Sequence, residues 1–368
     1  MSYTAKLSAK NLLHLGGLAL LMAIPLILVA NLILWLGYNL SVNNMKDRWQ
    51  GLSELSVDSA LYALEQRRND LRADMKMLAA APGLVTAIGS YDEGVLSSLA
   101  ADWEMFVAEK QLYDQVRLLD LWGIERLRVD RTPVGASRVS ARLLQDKSQR
   151  YYLQKGLTLE AGDIYASPID LNVERGVVER PYKPMVRLVT PLVDEKGEIK
   201  ALLVVNALVS HIFDDLERHA HLVEGDMLLL NDSGHYLRGF TSDQEWGFLF
   251  PDAAIPQQKF DETYPEVWAL MQRSVSDQIA NRNGIFSFRT VTYGSNGYQQ
   301  TYRLVVVMLQ EQQYILLAPQ RTLWLVIAVT LSLLLLISSI FFSRYRFRQR
   351  FEKPVSAEES QGVSHLLR

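Results

Sequence analysis

Two long stretches without a single Asp, Glu, Lys or Arg, Leu12–Leu36 and Thr322–Phe342, dominate what this 368-residue chain can become. At a rise of about 1.5 Å per residue, either stretch as a helix crosses the ~30 Å hydrocarbon core of a bilayer. A buried globular helix is the competing reading, and uncharged runs of this length argue against it. Pro25 is no objection, because membrane helices tolerate proline. A cleaved signal peptide is the sharper rival for the first run, since Lys6 and Lys10 precede it. That run exceeds the about 7–15 apolar residues of a signal peptide, and no clear small-x-small cleavage site follows it, so an uncleaved anchor is expected.

The basic flanks set the orientation. Lys6 and Lys10 precede the first run, while Arg344, Arg346, Arg348, Arg350 and Lys353 crowd the far side of the second. The excess of Lys and Arg on cytoplasmic sides predicts a two-pass membrane protein with both termini cytoplasmic and residues about 41–320 outside the cytoplasm. Tyr345, Phe347 and Phe351 interleave with the tail arginines. Beside a membrane helix such a tail is most simply an anchor drawn to acidic headgroups. With a formal net charge of −3, no global basic excess points to nucleic acid. The absence of cysteine excludes disulfides, thiolate metal sites and a cysteine nucleophile.

Beyond the first span, Val57, Leu61, Leu64, Leu71, Met75 and Leu78 fall on alternating steps of three and four, with Arg68 in the one missing place. This is a helical seam. It predicts a stalk helix over 41–82 that packs on its own domain, on a second subunit, or on both. After the Pro82-Gly83 breaker, Leu96, Leu99, Trp103 and Phe106 predict a second helix. The pattern then turns to short β-type runs. Val116–Asp120 and Ile124–Val129 form a hairpin about Trp122-Gly123, with Glu125, Leu127 and Val129 alternating with Arg126 and Arg128. A helical stretch near Ser148–Leu159, a strand near Ile164–Ser167, a proline-bearing loop and strands Met185–Val193 and Ile199–Asn206 follow. The theme recurs after a connecting helix, His211–Leu222. Strands Met227–Leu230 and His235–Arg238 precede a helix through Trp268, Met271 and Val275, then strands Ile285–Tyr293, Tyr298–Leu309 and Tyr314–Leu317.

Several of these segments carry a family likeness. Val116–Asp120 with Glu125–Asp130, Leu144–Tyr152, Tyr165–Glu174 and Pro181–Pro184 resemble the external double Cache, or tandem PAS-like, sensors of bacterial diguanylate cyclases, histidine kinases and chemoreceptors. Leu230–Gly239 and Glu245–Phe248 do so in the second half. The resemblance implies an α+β fold of two PAS-like (Cache) modules on a long N-terminal stalk helix, flanked by two transmembrane helices. The corresponding parts are a cytoplasmic N-terminus 1–11, a span 12–36, the stalk 41–82, a membrane-distal module 83–222, a membrane-proximal module 223–320, a span 322–342 and a basic tail 343–368. The distal module of such sensors usually holds the ligand. These sensors normally continue into a cyclase, kinase or methyl-accepting domain. Here no Gly-Gly-Asp-Glu-Phe signature is present, so no enzymatic output is expected and a separate cytoplasmic or membrane partner is implied.

A pocket of this kind lies between a sheet face and its covering loops, and needs aromatic walls with one or two fixed charges. Tyr151 and Tyr152 suit the walls, and Arg117, Arg128 and Arg187 sit on adjacent predicted strands. A guanidinium fork suits a small anion; solvent-facing strand arginines are the plainer alternative. The loop from Asp170 to Lys183, with Asn172, Glu174 and Glu179, can close over the site. In amino-acid-binding members an Arg-x-Trp-Tyr run grips the ligand carboxylate, whereas this chain reads Gln149-Arg150-Tyr151-Tyr152, so only the aromatic pair carries over. His211, Asp215 and His219 share a helix face, with Glu217 beside His221; without a paired HExxH or cysteine ligand, a solvated connector helix is favoured over a metal site. No G-x-S-x-G elbow or Walker A loop is present.

The expected function is a membrane-bound extracytoplasmic sensor for a small polar or anionic ligand. It is expected to act as a homodimer, or as a heterodimer with a related sensor, without cofactor or metal. A membrane-anchored structural or assembly protein is the second reading and a periplasmic enzyme the third.

Overall fold

A helical seam that begins beside an apolar run gives the chain its longest element, α1 (Ala9–Ala79), an unbroken helix containing Pro25. The computed structural model describes residues 9–174, 176–220, 225–250, 258–294, 299–309 and 314–351. The chain divides into two compact units, Arg48–Glu311 and a second one made of both terminal segments.

In the larger unit α1 stops at Ala79, three residues short of the expected end, because Pro82 opens a new helix, α2 (Pro82–Ser90), at its first turn. Helix α3 (Glu93–Lys110) starts where the Asp92 carboxylate accepts from the backbone N–H groups of Gly94 and Val95 at 2.9 and 3.2 Å. Then come β1 (Tyr113–Asp120), β2 (Glu125–Thr132), β3 (Gly135–Arg138), α4 (Tyr151–Gly156), β4 (Tyr165–Ala166), β5 (Asp170–Leu171), β6 (Val173–Glu174), β7 (Val177–Val178), β8 (Pro184–Val193) and β9 (Ile199–Leu208). The first sheet is antiparallel, in the order β3-β2-β1-β9-β8-β4, with β5 also on β8; β6 and β7 pair separately.

Helix α5 (Ser210–Ala220) leads to β10 (Asp226–Leu230), β11 (Tyr236–Arg238), α6 (Phe260–Thr263), α7 (Pro265–Met271), β12 (Ser276–Asn281), β13 (Gly284–Tyr293) and β14 (Gln300–Leu309). The second sheet runs β11-β10-β14-β13-β12. In both sheets the first strand lies between its hairpin partner and the last strand, so the same path is built twice. The mostly polar edge strand β12 was absent from the sequence pattern because it shows no apolar alternation.

The seam of α1 serves both sheets. Leu71, Met75 and Leu78 pack with α2, α3 and the first sheet, around Trp103, Val107 and Leu118. Val57 and Ala60 pack with α5 against the second sheet, whose far face is closed by α6 and α7 around Phe260, Phe286 and Phe288. Each fully buried Leu, Val or Phe contributes about 1.5–3 kcal/mol. Within the chain the seam therefore packs on its own domain.

In the other unit, α8 (Tyr314–Phe351) contains Thr322–Tyr345, long and apolar enough to cross a membrane. The first apolar run lies inside α1, where Ile27–Gly37 is a shorter apolar stretch. The segment Tyr314–Leu317, expected as a strand, belongs to α8: a short apolar run has no decisive period, and here it joins a longer helix. The expected helices near Ser148–Leu159 and through Val275 are shorter, α4 ending at Gly156 and α7 at Met271.

Candidate functional site

Residues of β1 alternate between two destinations. Val116 and Leu118 face the helices, while Gln115, Arg117 and Leu119 face the opposite side of the sheet. There the antiparallel register lines up two rows across four strands, Asp130–Gln115–Asn206–Arg187 and Arg128–Arg117–Val204–Val189. The covering layer is the segment Gln145–Gly156 and the strands β5–β7.

Two glycines allow this cover to lie close. Gly123 has φ +85°, and a Cβ there would stand 2.8 Å from the backbone of Ser148; its carbonyl accepts from Lys147 N at 2.8 Å. On α4, a Cβ at Gly156 would meet Val189 and Leu202 at 2.7 Å. The helix is thereby seated on the sheet with Tyr152 and Leu153 buried.

All six residues expected to bind ligand come together here. Arg117, 2% exposed, donates to Tyr152 OH at 3.2 Å and to Gln115 Oε1, and its Nε stands 3.6 Å from Glu125 Oε1. Arg128 donates to Asp130 at 2.6 Å and to Glu174 at 3.1 Å. Arg187, 1% exposed, pairs with Asp170, and its guanidinium lies 5.9 Å from the Tyr152 ring centre. Tyr151 packs edge-on against Tyr152 at 5.6 Å, and its hydroxyl reaches Asp170 at 3.4 Å, so it forms the half-open rim. Arg150 lies with its guanidinium 6.0 Å from the Tyr152 ring centre.

The sequence reading missed other members. Gln115 and Gln145 donate to the two oxygens of Glu174 at 3.0 and 2.9 Å, Lys147 donates to Gln145 Oε1 at 2.7 Å, and Asn206 donates to Gln115 Oε1 at 3.1 Å. Gln115 and Asn206 were detectable in principle as polar residues in otherwise apolar strands. Glu125 was expected on the face of Leu127 and Val129, but Arg126 is an extra residue opposite Leu118 and Leu119, and this bulge breaks the alternation. Glu125 consequently joins Arg117 and Arg128.

Arg117, Arg128, Lys147 and Arg187 thus face Glu125, Asp130, Asp170 and Glu174. Burial, and next the charge of Arg117, press the Lys147 ammonium down to about 8, against the attraction of Glu174 and Glu125. Burial alone would raise the Glu174 carboxyl, but hydrogen bonds from Gln115 and Gln145 and the charges of Arg128 and Lys147 outweigh it and hold the group at about 2. Arg117 Nε, Glu125 Oε1 and Asn206 Oδ1 are buried without a hydrogen-bond partner. Such a cluster can bind a small polar molecule carrying a carboxylate or similar anion.

On α5, the described side chains among those weighed as metal ligands have other neighbours. His211 contacts the Gln111 carbonyl at 3.2 Å, and Asp215 pairs with Arg67 at 2.9 Å. Glu217 pairs with Arg238. The side chain of His219, and His221 altogether, lie outside the described residues. Among the described residues no three His, Asp or Glu side chains are grouped to hold a metal.

Comparison with known proteins agrees with this architecture. The family model of the bacterial histidine kinase sensor domain matches residues 62–306. The extracellular domain of a protein assigned as histidine kinase vpHK1S-Z8 is similar at 20% identity and TM-score 0.60, over 74% of this chain and 95% of that one. A domain of a Vibrio parahaemolyticus protein assigned to the sensory box/GGDEF family is similar at 20% identity and TM-score 0.60, over 71% and 98%. No curated protein matches the sequence. The fold is thus that of a Cache-like extracellular sensor domain. The chain belongs to the bacterial histidine kinase sensor-domain family.

Proposed function

We propose that this chain is a two-pass inner-membrane sensor whose distal module, residues 83–222, binds a small polar or anionic ligand on the face of the first sheet. The carrying observation is that loop carboxylates Asp170 and Glu174 already sit on the arginines of the sheet, where a ligand's anion would exchange for them. Asn206 Oδ1, buried without a hydrogen-bond partner, and the long Arg117–Glu125 ion pair at 3.6 Å leave hydrogen-bonding capacity for such a ligand. Tyr151 and Tyr152 supply its walls, and β5–β7 its cover.

In this reading Leu12–Leu36 and Thr322–Phe342 span the bilayer, residues 223–320 form the membrane-proximal PAS-like module, and the sensor works as a dimer. A ligand that binds two arrangements of β5–β7 unequally shifts their populations, and α1 carries the change toward the membrane. A signalling partner on the cytoplasmic side receives it. The chain itself binds rather than catalyses.

A screen of small carboxylates, amino acids and phosphates by thermal shift on the full chain in nanodiscs tests this. A binder at a hundred times its Kd stabilises by about 2.7 kcal/mol. Arg187→Gln and Tyr152→Phe should abolish the shift. A membrane-anchored scaffold is the second reading, favoured by the balance of charges within the cluster, which can be satisfied without a ligand. It predicts no saturable stabilisation that is lost on Arg187→Gln or Tyr152→Phe.

A further inference from the structure

The one break in the α1 seam opens onto a cavity. Arg68 takes a position where an apolar residue would complete the pattern, and both it and Arg72, one turn on, are exposed. Among the described residues neither makes an ion pair. The Arg68 guanidinium lies 5.1 Å from the centre of the Tyr293 ring. Behind them is a cavity of about 360 Å³ between α1 and the two sheets. That is within the roughly 300–1,000 Å³ of small-molecule sites.

Its walls are mainly aliphatic, with Leu64 from α1, Leu188 from the first sheet, Ile212 from α5 and Leu304 from the second sheet. Tyr293 and Tyr302 line the same space. The Tyr302 hydroxyl already accepts from Ile169 N at 3.0 Å, whereas the Tyr293 hydroxyl is buried with no hydrogen-bond partner. Glu65, one turn back on α1, acts on Tyr293 against the pull of Arg68. The combination is an apolar chamber with one unsatisfied hydroxyl inside and two unpaired guanidinium groups at its mouth.

We infer that this cavity binds an amphiphilic monocarboxylate, its alkyl chain among Leu64, Leu188 and Leu304 and its carboxylate on Arg68 and Arg72. Fork geometry favours a carboxylate over a neutral head. The site is separate from the Arg117–Arg187 cluster and stands whether or not that cluster binds a ligand. Because its walls come from both sheets and the stalk, an occupant would fix the spacing of those three parts.

The test is calorimetric titration of octanoate into the full chain in zwitterionic nanodiscs, with empty discs as the blank. Saturable binding of one octanoate per chain, at least ten times tighter than 1-octanol, is expected. The double variant Arg68→Gln/Arg72→Gln should weaken octanoate at least tenfold, and Ala166→Phe, which fills the chamber from its wall, should abolish binding. Both Arg68 and Arg72 are exposed, so the double variant should keep the thermal midpoint of the native chain. Uptake no greater than by empty discs overturns the inference, as does binding that neither variant changes, or equal affinity for octanoate and 1-octanol.

Discussion

The hydroxyl of Tyr113, at the start of β1, donates to Asp74 of α1 at 2.7 Å, while Lys110 reaches the other oxygen of the same carboxylate at 2.9 Å. One carboxylate thereby ties the stalk to the first sheet. Burial and the bond to Asp74 push the Tyr113 phenol far above its ordinary pKa, so it remains a donor. Tyr113→Phe should cost about 1.5–3 kcal/mol, the range for a hydrogen bond to a charged group. In a domain of this size that lowers the melting midpoint by at least about 3 °C. An unchanged midpoint by circular dichroism would show that the bond does not hold α1 in place.

Glu174 gives the cluster an acid-side signature. Its folded pKa of about 2 lies below the ordinary 4.5, so its stabilisation is fully present above about pH 4.5 and is lost as pH falls through 2. Allowing for screening of a partly exposed group, Glu174→Gln should cost about 1–2 kcal/mol at neutral pH. The gap between variant and native chain should close on acidification from pH 5 to 2. A gap that stays constant across that range contradicts the assignment.

Lys147 acts with the opposite sign. Holding its charge in the cluster carries a cost that is present below about pH 8 and is relieved as pH rises toward 10.5, the value in the unfolded chain. Over that window Lys147→Gln should gain less stability than the native chain. Denaturant midpoints measured at pH 7.5 and 9.5 give the comparison, and parallel behaviour of the two chains would refute it.

The longer strands with apolar alternation, and the tyrosines and arginines that gather on the first sheet, were legible because alternation and side-chain type are local properties; the polar or very short strands β3, β6, β7 and β12 were not. Lys147, Gln145 and Glu125 were not singled out. Their roles depend on the bulge at Arg126, an irregularity that no alternation pattern shows, and on Gly123 admitting the Ser148 backbone from a separate segment. The α1 seam was visible down to its gap at Arg68. What the gap faces was not, because the second sheet is brought there by tertiary packing alone.

Arg187 and Asp170 form the pair in which removal of one partner should hurt most. Arg187 is 1% exposed, so Asp170→Asn leaves a buried guanidinium without its counter-charge, a loss of about 3–5 kcal/mol. Replacing both, as Asp170→Asn with Arg187→Met, removes the stranded charge and should recover at least half of that loss. Additive destabilisation in the double variant would mean that the two side chains contribute independently.

Asn31 and Thr330 link the two long helices within the terminal unit. The Asn31 amide donates to Thr330 Oγ1 at 3.2 Å and to the Ile27 carbonyl at 2.7 Å, and Thr330 also donates to Val326 O at 2.7 Å. With both helices in the bilayer, as proposed, such a side-chain hydrogen bond is worth about 0.6 kcal/mol on average, so Asn31→Leu should barely change stability. Its value lies in register, since it marks which turn of α1 meets which turn of α8. The chain has no cysteine, so Asn31→Cys with Thr330→Cys gives a single defined pair. In membranes that pair should close to a disulfide on mild oxidation, because the hydrogen bond puts the two positions on facing turns of the helices. A second pair moved two residues along α8, Asn31→Cys with Ser332→Cys, turns the thiol to another helix face and should not close. Equal oxidation of both pairs would show that the helices have no fixed register, and α1 could not then pass a displacement to α8 by way of this contact.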